Sequence, residues 1–146
     1  MPIDPNNLAA TAQLTFKDEF DGLSLWNGST GTWSSNWWYN EVGDAYATSK
    51  GGSLPTNAEQ QWYVNANYAP TAAIRPWAVS NGHLTLTADR ASPEVAQLLN
   101  GYKFTSGMLN SWHSFSQQYG YFEISAKMRA GQGLWPAFWL LQKDGD

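Results

Sequence analysis

Apolar and polar residues alternate with a period of two along several short stretches of the chain. The first is Leu14-Thr15-Phe16-Lys17-Asp18-Glu19-Phe20, which reads as a half-buried strand closed by the turn Asp21-Gly22. Strands are also expected over 59–64, 73–79 and 83–88, the last pair joined through Ser80-Asn81-Gly82, because Asn-Gly is a strong hairpin signal. Residues 93–99 could make a helical turn ended by Gly101, the one plausible helix, after which 103–112 returns to β character. Alternation resumes over 119–129, and Ala130-Gly131-Gln132-Gly133 turns the chain into an apolar strand over 134–141.

Two regions lack this period. Residues 1–12, rich in Pro, Asn, Ala and Thr, read as a flexible tail, leaving 13–146 as the folded part. Between Leu23 and Pro55 lies a long Gly-, Ser- and Asn-rich loop carrying Trp26, Trp33, Trp37, Trp38, Tyr39 and Tyr46. Six aromatics argue against disorder there, and loops of this length in a compact domain are usually functional. Short strands with Gly-rich turns predict an all-β sandwich in one domain.

Composition sharpens the picture. The chain of 146 residues has a net charge of −4 and no Lys/Arg stripe, which excludes a nucleic-acid partner. No apolar run is long enough for a membrane helix, no signal peptide is visible, and without Cys there is no disulfide framework. Only 14% of residues are charged, whereas aromatics reach 15% and include nine Trp. Large rings fill cores, but they also stack on the C–H faces of sugars, so a glycan ligand suits this composition.

Hydrolysis of a glycosidic bond normally takes two carboxyl groups about 5 to 9.5 Å apart, which alternate positions of one strand could supply. The full E-x-D-x-E spacing is absent. Of Glu19, Glu41, Glu59, Glu94 and Glu123, only Glu19 has an Asp two residues on, and Leu23 and Ser24 stand where a second Glu would follow. Glu123, mid-strand, is the best-placed alternative, although solvent, Lys127 or Arg129 would satisfy it. Asp18, Glu19 and Asp21 cluster at a strand end where Ca²⁺ could bind. His83 and His113 are not at metal-ligand spacing and read as structural. Trp135 and Trp139, four apart, would share one strand face with Phe138 opposite against the core, and Pro136 suggests an edge or bend beside a cleft.

The run Tyr119-Gly120-Tyr121-Phe122-Glu123, followed by Gly131-Gln132-Gly133-Leu134-Trp135-Pro136-Ala137-Phe138-Trp139-Leu140-Leu141, resembles the paired motif of family 16 glycoside hydrolases. Phe16-Lys17-Asp18-Glu19-Phe20-Asp21-Gly22, Asn57-Ala58-Glu59-Gln60-Gln61-Trp62-Tyr63 and 82–88 resemble earlier family segments, in family order. The resemblance covers 14–146. It implies a concanavalin-like β-jelly-roll of two antiparallel sheets, apparently truncated, whose concave face binds a polysaccharide outside the cell. It carries Trp135 and Trp139 over as cleft walls, Asn57 as a polar sugar contact, and Glu19 as part of a structural Ca²⁺ site, no cofactor being required. The family's nucleophile and acid/base lie on a strand expected just after Asp146, so the chain is expected to be inactive alone and to need a second copy or a missing C-terminal half to complete its sandwich. Ser106-Gly107-Met108 stands where many laminarinase-like members have Arg after Ser-Gly, which turns the resemblance toward members that cut mixed-linkage glucans or bacterial exopolysaccharides. A non-catalytic carbohydrate-binding β-sandwich is the alternative.

Overall fold

A computed structural model of the chain describes residues 2–40 and 43–143; Glu41 and the chain end at Gly145 and Asp146 lie outside them. The chain forms two compact units, Phe16–Phe115 and a second made of Met1–Thr15 with Ser116–Asp146. Strands in two sheets dominate the regular structure of the first.

In that unit, β1 (Gly51–Gly52), β2 (Gln61–Val64), β5 (Asp89–Arg90) and β6 (Phe104–Ser106) form one sheet in the order β1-β2-β6-β5. Strands β3 (Trp77–Ser80) and β4 (His83–Leu86) form a separate hairpin. Its two-residue turn holds Asn81 at φ 52° and Gly82 at φ 67°. Both are left-handed, as the turn type that matches strand twist requires, and this fixes the register Ser80↔His83 and Trp77↔Leu86.

The sheet departs from the expected antiparallel order at one pair. Strand β2 runs parallel to β6, with Trp62 opposite Thr105. Parallel neighbours need a long crossover, and the segment between these two strands supplies it, with the hairpin and α3 (Pro93–Leu98) inside it. Helix α3 is where the sequence predicts it. Ser92 caps it by accepting the Val95 N–H at 3.3 Å, Pro93 opens it, and Asn100 at φ 57° ends it with the Gly101 N–H on the Ala96 carbonyl at 2.8 Å. Two further helical turns, α1 (Leu8–Thr11) in the N-terminal segment and α2 (Ala45–Thr48) in the long loop, were not legible as such.

The core follows from the alternation of β2, whose Trp62 and Val64 point inward and meet Trp77 and Leu99. Ile74, Leu84, Val95 and Tyr102 pack around this cluster. Both indoles of this cluster have a partner for the N–H, Lys50 O for Trp62 at 3.0 Å and Met108 O for Trp77 at 3.1 Å.

The long loop is ordered by polar side chains at least partly buried. Asn65 donates to the carbonyls of Tyr46 and Ser49 at 2.6 and 2.9 Å, and Asn110 to that of Asn36 at 2.6 Å. These amides stand in for ladder partners that an irregular backbone lacks.

Three expected strands do not form ladders among the described residues. In 14–20, Phe20 turns left-handed at φ 53° while Asp18 accepts its N–H at 2.7 Å, so the extended run breaks. The alternation there serves ring packing instead: Phe16 stacks on Phe115 at 4.7 Å and meets Trp33 edge-on at 5.6 Å. In the second unit, 119–129 and 134–141 have the strand period but no hydrogen-bonded neighbour among the described residues, and a strand needs one. Ile124, Met128, Leu134 and Leu140 are accordingly exposed.

Candidate functional site

In the second unit, Gly131 accepts the Leu134 N–H at 3.2 Å, and the chain then runs through Trp135 and Trp139. Trp135 is 77% exposed and Trp139 51%. Phe138 is 48% exposed, which corrects the expectation that it packs on a core. Among the described residues no strand pairs beside 134–141, so none provides an interior for it to enter.

Glu123 accepts the Tyr121 hydroxyl at 3.0 Å, and that bond, with the charge behind it, raises the Tyr121 phenol. Glu123 therefore has Tyr121 rather than Lys127 or Arg129 as its partner.

In the unit Phe16–Phe115, Asn57 ends a 3₁₀ turn, Pro55–Asn57, and is followed by Ala58 at φ 56°. It is exposed, with its side-chain amide in no hydrogen bond to a described residue. Beside it, Glu59 clips the turn: it accepts the Leu54 N–H at 2.8 Å, the Ser53 hydroxyl at 3.4 Å and the Tyr63 hydroxyl at 3.5 Å.

Tyr39, half exposed, stacks on buried Trp37 at 5.7 Å, and Trp38 stacks on Trp112 at 6.2 Å. Burial first, then the Glu59 charge, raises the Tyr39 phenol. Burial is also the main cause of the raised Tyr63 phenol, partly opposed by its bond from Gln61. Trp37, Trp38 and Tyr39 belong to the six rings that mark the segment without strand period, whereas Trp112 carries no such signal.

The carboxylates proposed for Ca²⁺ do not gather. Asp18 is committed to the Phe20 N–H and to the Trp33 indole N–H at 2.6 Å, and Glu19 pairs with Lys17 at 3.1 Å. Among the described residues no three His, Cys, Asp or Glu side chains converge as metal ligands. His83 Nδ1 lies 2.6 Å from the Asn81 carbonyl and His113 stacks on Trp26 at 4.3 Å, both structural contacts.

The profile of glycosyl hydrolases family 16 matches residues 64–146, more than half of the chain and all of the segment bearing Trp135 and Trp139. The chain belongs to glycoside hydrolase family 16. Its relatives within reach of sequence include two proteins of Rhizobium meliloti (strain 1021), endo-1,3-1,4-beta-glycanase ExsH, 50% identical, and endo-1,3-1,4-beta-glycanase EglC, 48% identical. Each match covers 90% of this family 16 chain and 27% of the relative. Glucan endo-1,3-beta-glucosidase A1 of Niallia circulans is 33% identical over 98% of the chain and 19% of its own length. The chain thus spans about a quarter of the length of the first two relatives. No solved structure matches it.

Proposed function

We propose that this chain is the cleft-wall portion of a retaining, endo-acting β-glycanase that cuts β-glucans or related bacterial exopolysaccharides outside the cell. The family 16 match across the segment bearing Trp135 and Trp139 carries the reading. Half identity to two endo-1,3-1,4-beta-glycanases supports the linkage class. The fold that goes with it is a jelly-roll sandwich, completed over the open 119–141 segment by further chain or by a second copy.

A retaining mechanism needs a nucleophilic carboxylate about 5 to 5.5 Å from a carboxylic acid that protonates the leaving oxygen. Among the described residues Glu19 pairs with Lys17, Glu59 holds its turn, Glu94 bonds Ser92 and Glu123 accepts from Tyr121. The family resemblance puts both catalytic groups on a strand outside these 146 residues, and on that reading the chain by itself is inactive. Its own contribution is binding. Trp135 and Trp139 stack on sugar faces, Asn57 hydrogen-bonds a hydroxyl, and no cofactor takes part.

Reducing-sugar release from lichenan, laminarin and a bacterial exopolysaccharide tests this, with the 146-residue chain compared against the full-length protein. Release by the full-length protein alone is expected. Binding of these polysaccharides by both forms, with hydrolysis by neither, would favour instead a non-catalytic carbohydrate-binding β-sandwich, for which exposed Trp135 and Tyr39 speak.

A further inference from the structure

Three Asn-Gly pairs occur in the chain, Asn27-Gly28, Asn81-Gly82 and Asn100-Gly101, and all three asparagines are exposed. Such a pair carries its own electrophile and nucleophile, the side-chain amide carbon of Asn and the backbone nitrogen of the next residue. Glycine adds no side chain to obstruct their approach. The fold treats the three pairs differently. At Asn27 the amide oxygen accepts the Ser29 and Thr30 N–H groups at 3.0 and 2.9 Å, and Gly28 lies so close beneath the Tyr46 ring that a side chain there would strike it. Those contacts hold both reacting groups in place. At Asn100 the nucleophile is taken, because the Gly101 N–H closes α3 on the Ala96 carbonyl at 2.8 Å.

Asn81 has neither restraint. Its side-chain amide and the Gly82 N–H have no hydrogen-bond partner among the described residues. The two residues form the exposed tip of the β3–β4 hairpin, which pairs with no other strand among the described residues, and local opening at such a tip costs little. One neighbour acts on the nucleophile. His83 Nδ1 lies 2.6 Å from the Asn81 carbonyl oxygen, and because a carbonyl can only accept, Nδ1 carries the proton. That carbonyl belongs to the same peptide unit as the Gly82 nitrogen. A donor on the oxygen draws electron density from the nitrogen through the amide resonance and makes its N–H easier to remove.

We propose that Asn81 is a self-modification site, the Asn-Gly pair of this chain that cyclises from the folded state. Once the Gly82 nitrogen has lost its proton to hydroxide, it attacks the Asn81 side-chain carbon. The new C–N bond closes an imide ring, the bond to Nδ2 breaks, and the amide group leaves as ammonia after taking a proton back from water. A water molecule then opens the ring at either carbonyl, giving aspartate or isoaspartate. Both products add a negative charge to a chain that carries −4. Isoaspartate also routes the backbone through an extra carbon, so the turn no longer sets Ser80 opposite His83 and Trp77 opposite Leu86. Trp77 is a core residue, and the change at the tip thereby reaches the core.

The test is peptide mapping by mass spectrometry of the full-length protein incubated at mildly alkaline pH, folded and, in parallel, unfolded in urea. In the folded protein, exchange of the amide for an acid at Asn81 should outpace that at Asn27 and Asn100, and in urea the three rates should converge. Asn81 converting no faster than the other two in the folded protein would overturn the site, a result that needs no variant to fold. Removal of the ring donor in His83→Phe should slow Asn81 about fivefold in the folded protein, the worth of one ordinary hydrogen bond, and change the rate in urea little. His83→Val, a strand former without a donor, gives a second reading of the same effect. An unchanged folded rate in either variant, with its melting temperature preserved, would overturn the role given to His83. Converted protein, separated by its extra charge on an anion exchanger, should unfold at lower urea than the unconverted form, and an equal midpoint would overturn the link to Trp77.

Discussion

The indole N–H of Trp77 donates to the carbonyl of Met108 at 3.1 Å, tying the start of the hairpin to the segment that leaves β6. The residue between that carbonyl and β6 is Gly107, and any side chain there would press on the indole: a Cβ would come within 2.8 Å of Trp77 Nε1 and 3.1 Å of the Pro76 carbonyl. Overpacking of this kind costs about 1–3 kcal/mol, so Gly107→Ala should lower the urea midpoint measurably. In the double variant with Trp77→Leu the two penalties should add to less than their sum, since the clash disappears with the indole.

Leu99 is fully buried in the core, where α3 ends, against Trp62, Val64 and Trp77. Leu99→Ala is expected to cost about 2–5 kcal/mol through lost transfer energy and the cavity left behind. Urea unfolding followed by Trp fluorescence would show it, and Leu99→Met should recover most of the loss.

Alkaline stability should depend on Tyr39 and Tyr63, whose phenols are raised in the fold chiefly by burial. The unfolded chain loses these protons near the ordinary phenol value of about 10, while the folded chain still holds them. Stability is thus fully present below about pH 10 and falls as pH rises through the folded values, because the folded state then binds more protons than the unfolded one. Melting curves from pH 8 to 11.5 should show this fall, and Tyr63→Phe should flatten it.

Much of this architecture was readable from side-chain period and turn chemistry. The Asn81-Gly82 hairpin, the helical turn within 93–99 and the strand within 59–64 are local signals, and each formed where the pattern placed it. The run at 14–20 misled because aromatic packing of Phe16 on Phe115 yields the same alternation as a ladder. The pattern at 119–141 states which faces are apolar, but pairing is set by a neighbour, which no single stretch encodes. The packing of Trp38 and Tyr39 was not legible because the long loop is ordered by the side-chain amides of Asn65 and Asn110, distant in sequence from these rings.

Trp135 is the more exposed of the two candidate wall residues. If it stacks on a sugar, Trp135→Ala in the full-length protein should raise KM for lichenan about two- to tenfold, the worth of one aromatic face, with kcat little changed. Trp135→Phe should restore most of the affinity. An equal loss of kcat in both variants would point to a structural role instead.

The parallel pairing of β2 with β6 also has a consequence during synthesis. Strand β2 leaves the ribosome about 40 residues before the segment it must lie beside. At roughly 5–20 residues per second, that is a wait of about 2–8 s with one strand edge open and Trp62 uncovered. The antiparallel β1 can close only the other edge. A nascent-chain chaperone would find its opening in that interval, and shortening the 64–104 crossover, more than strengthening either strand, would narrow it.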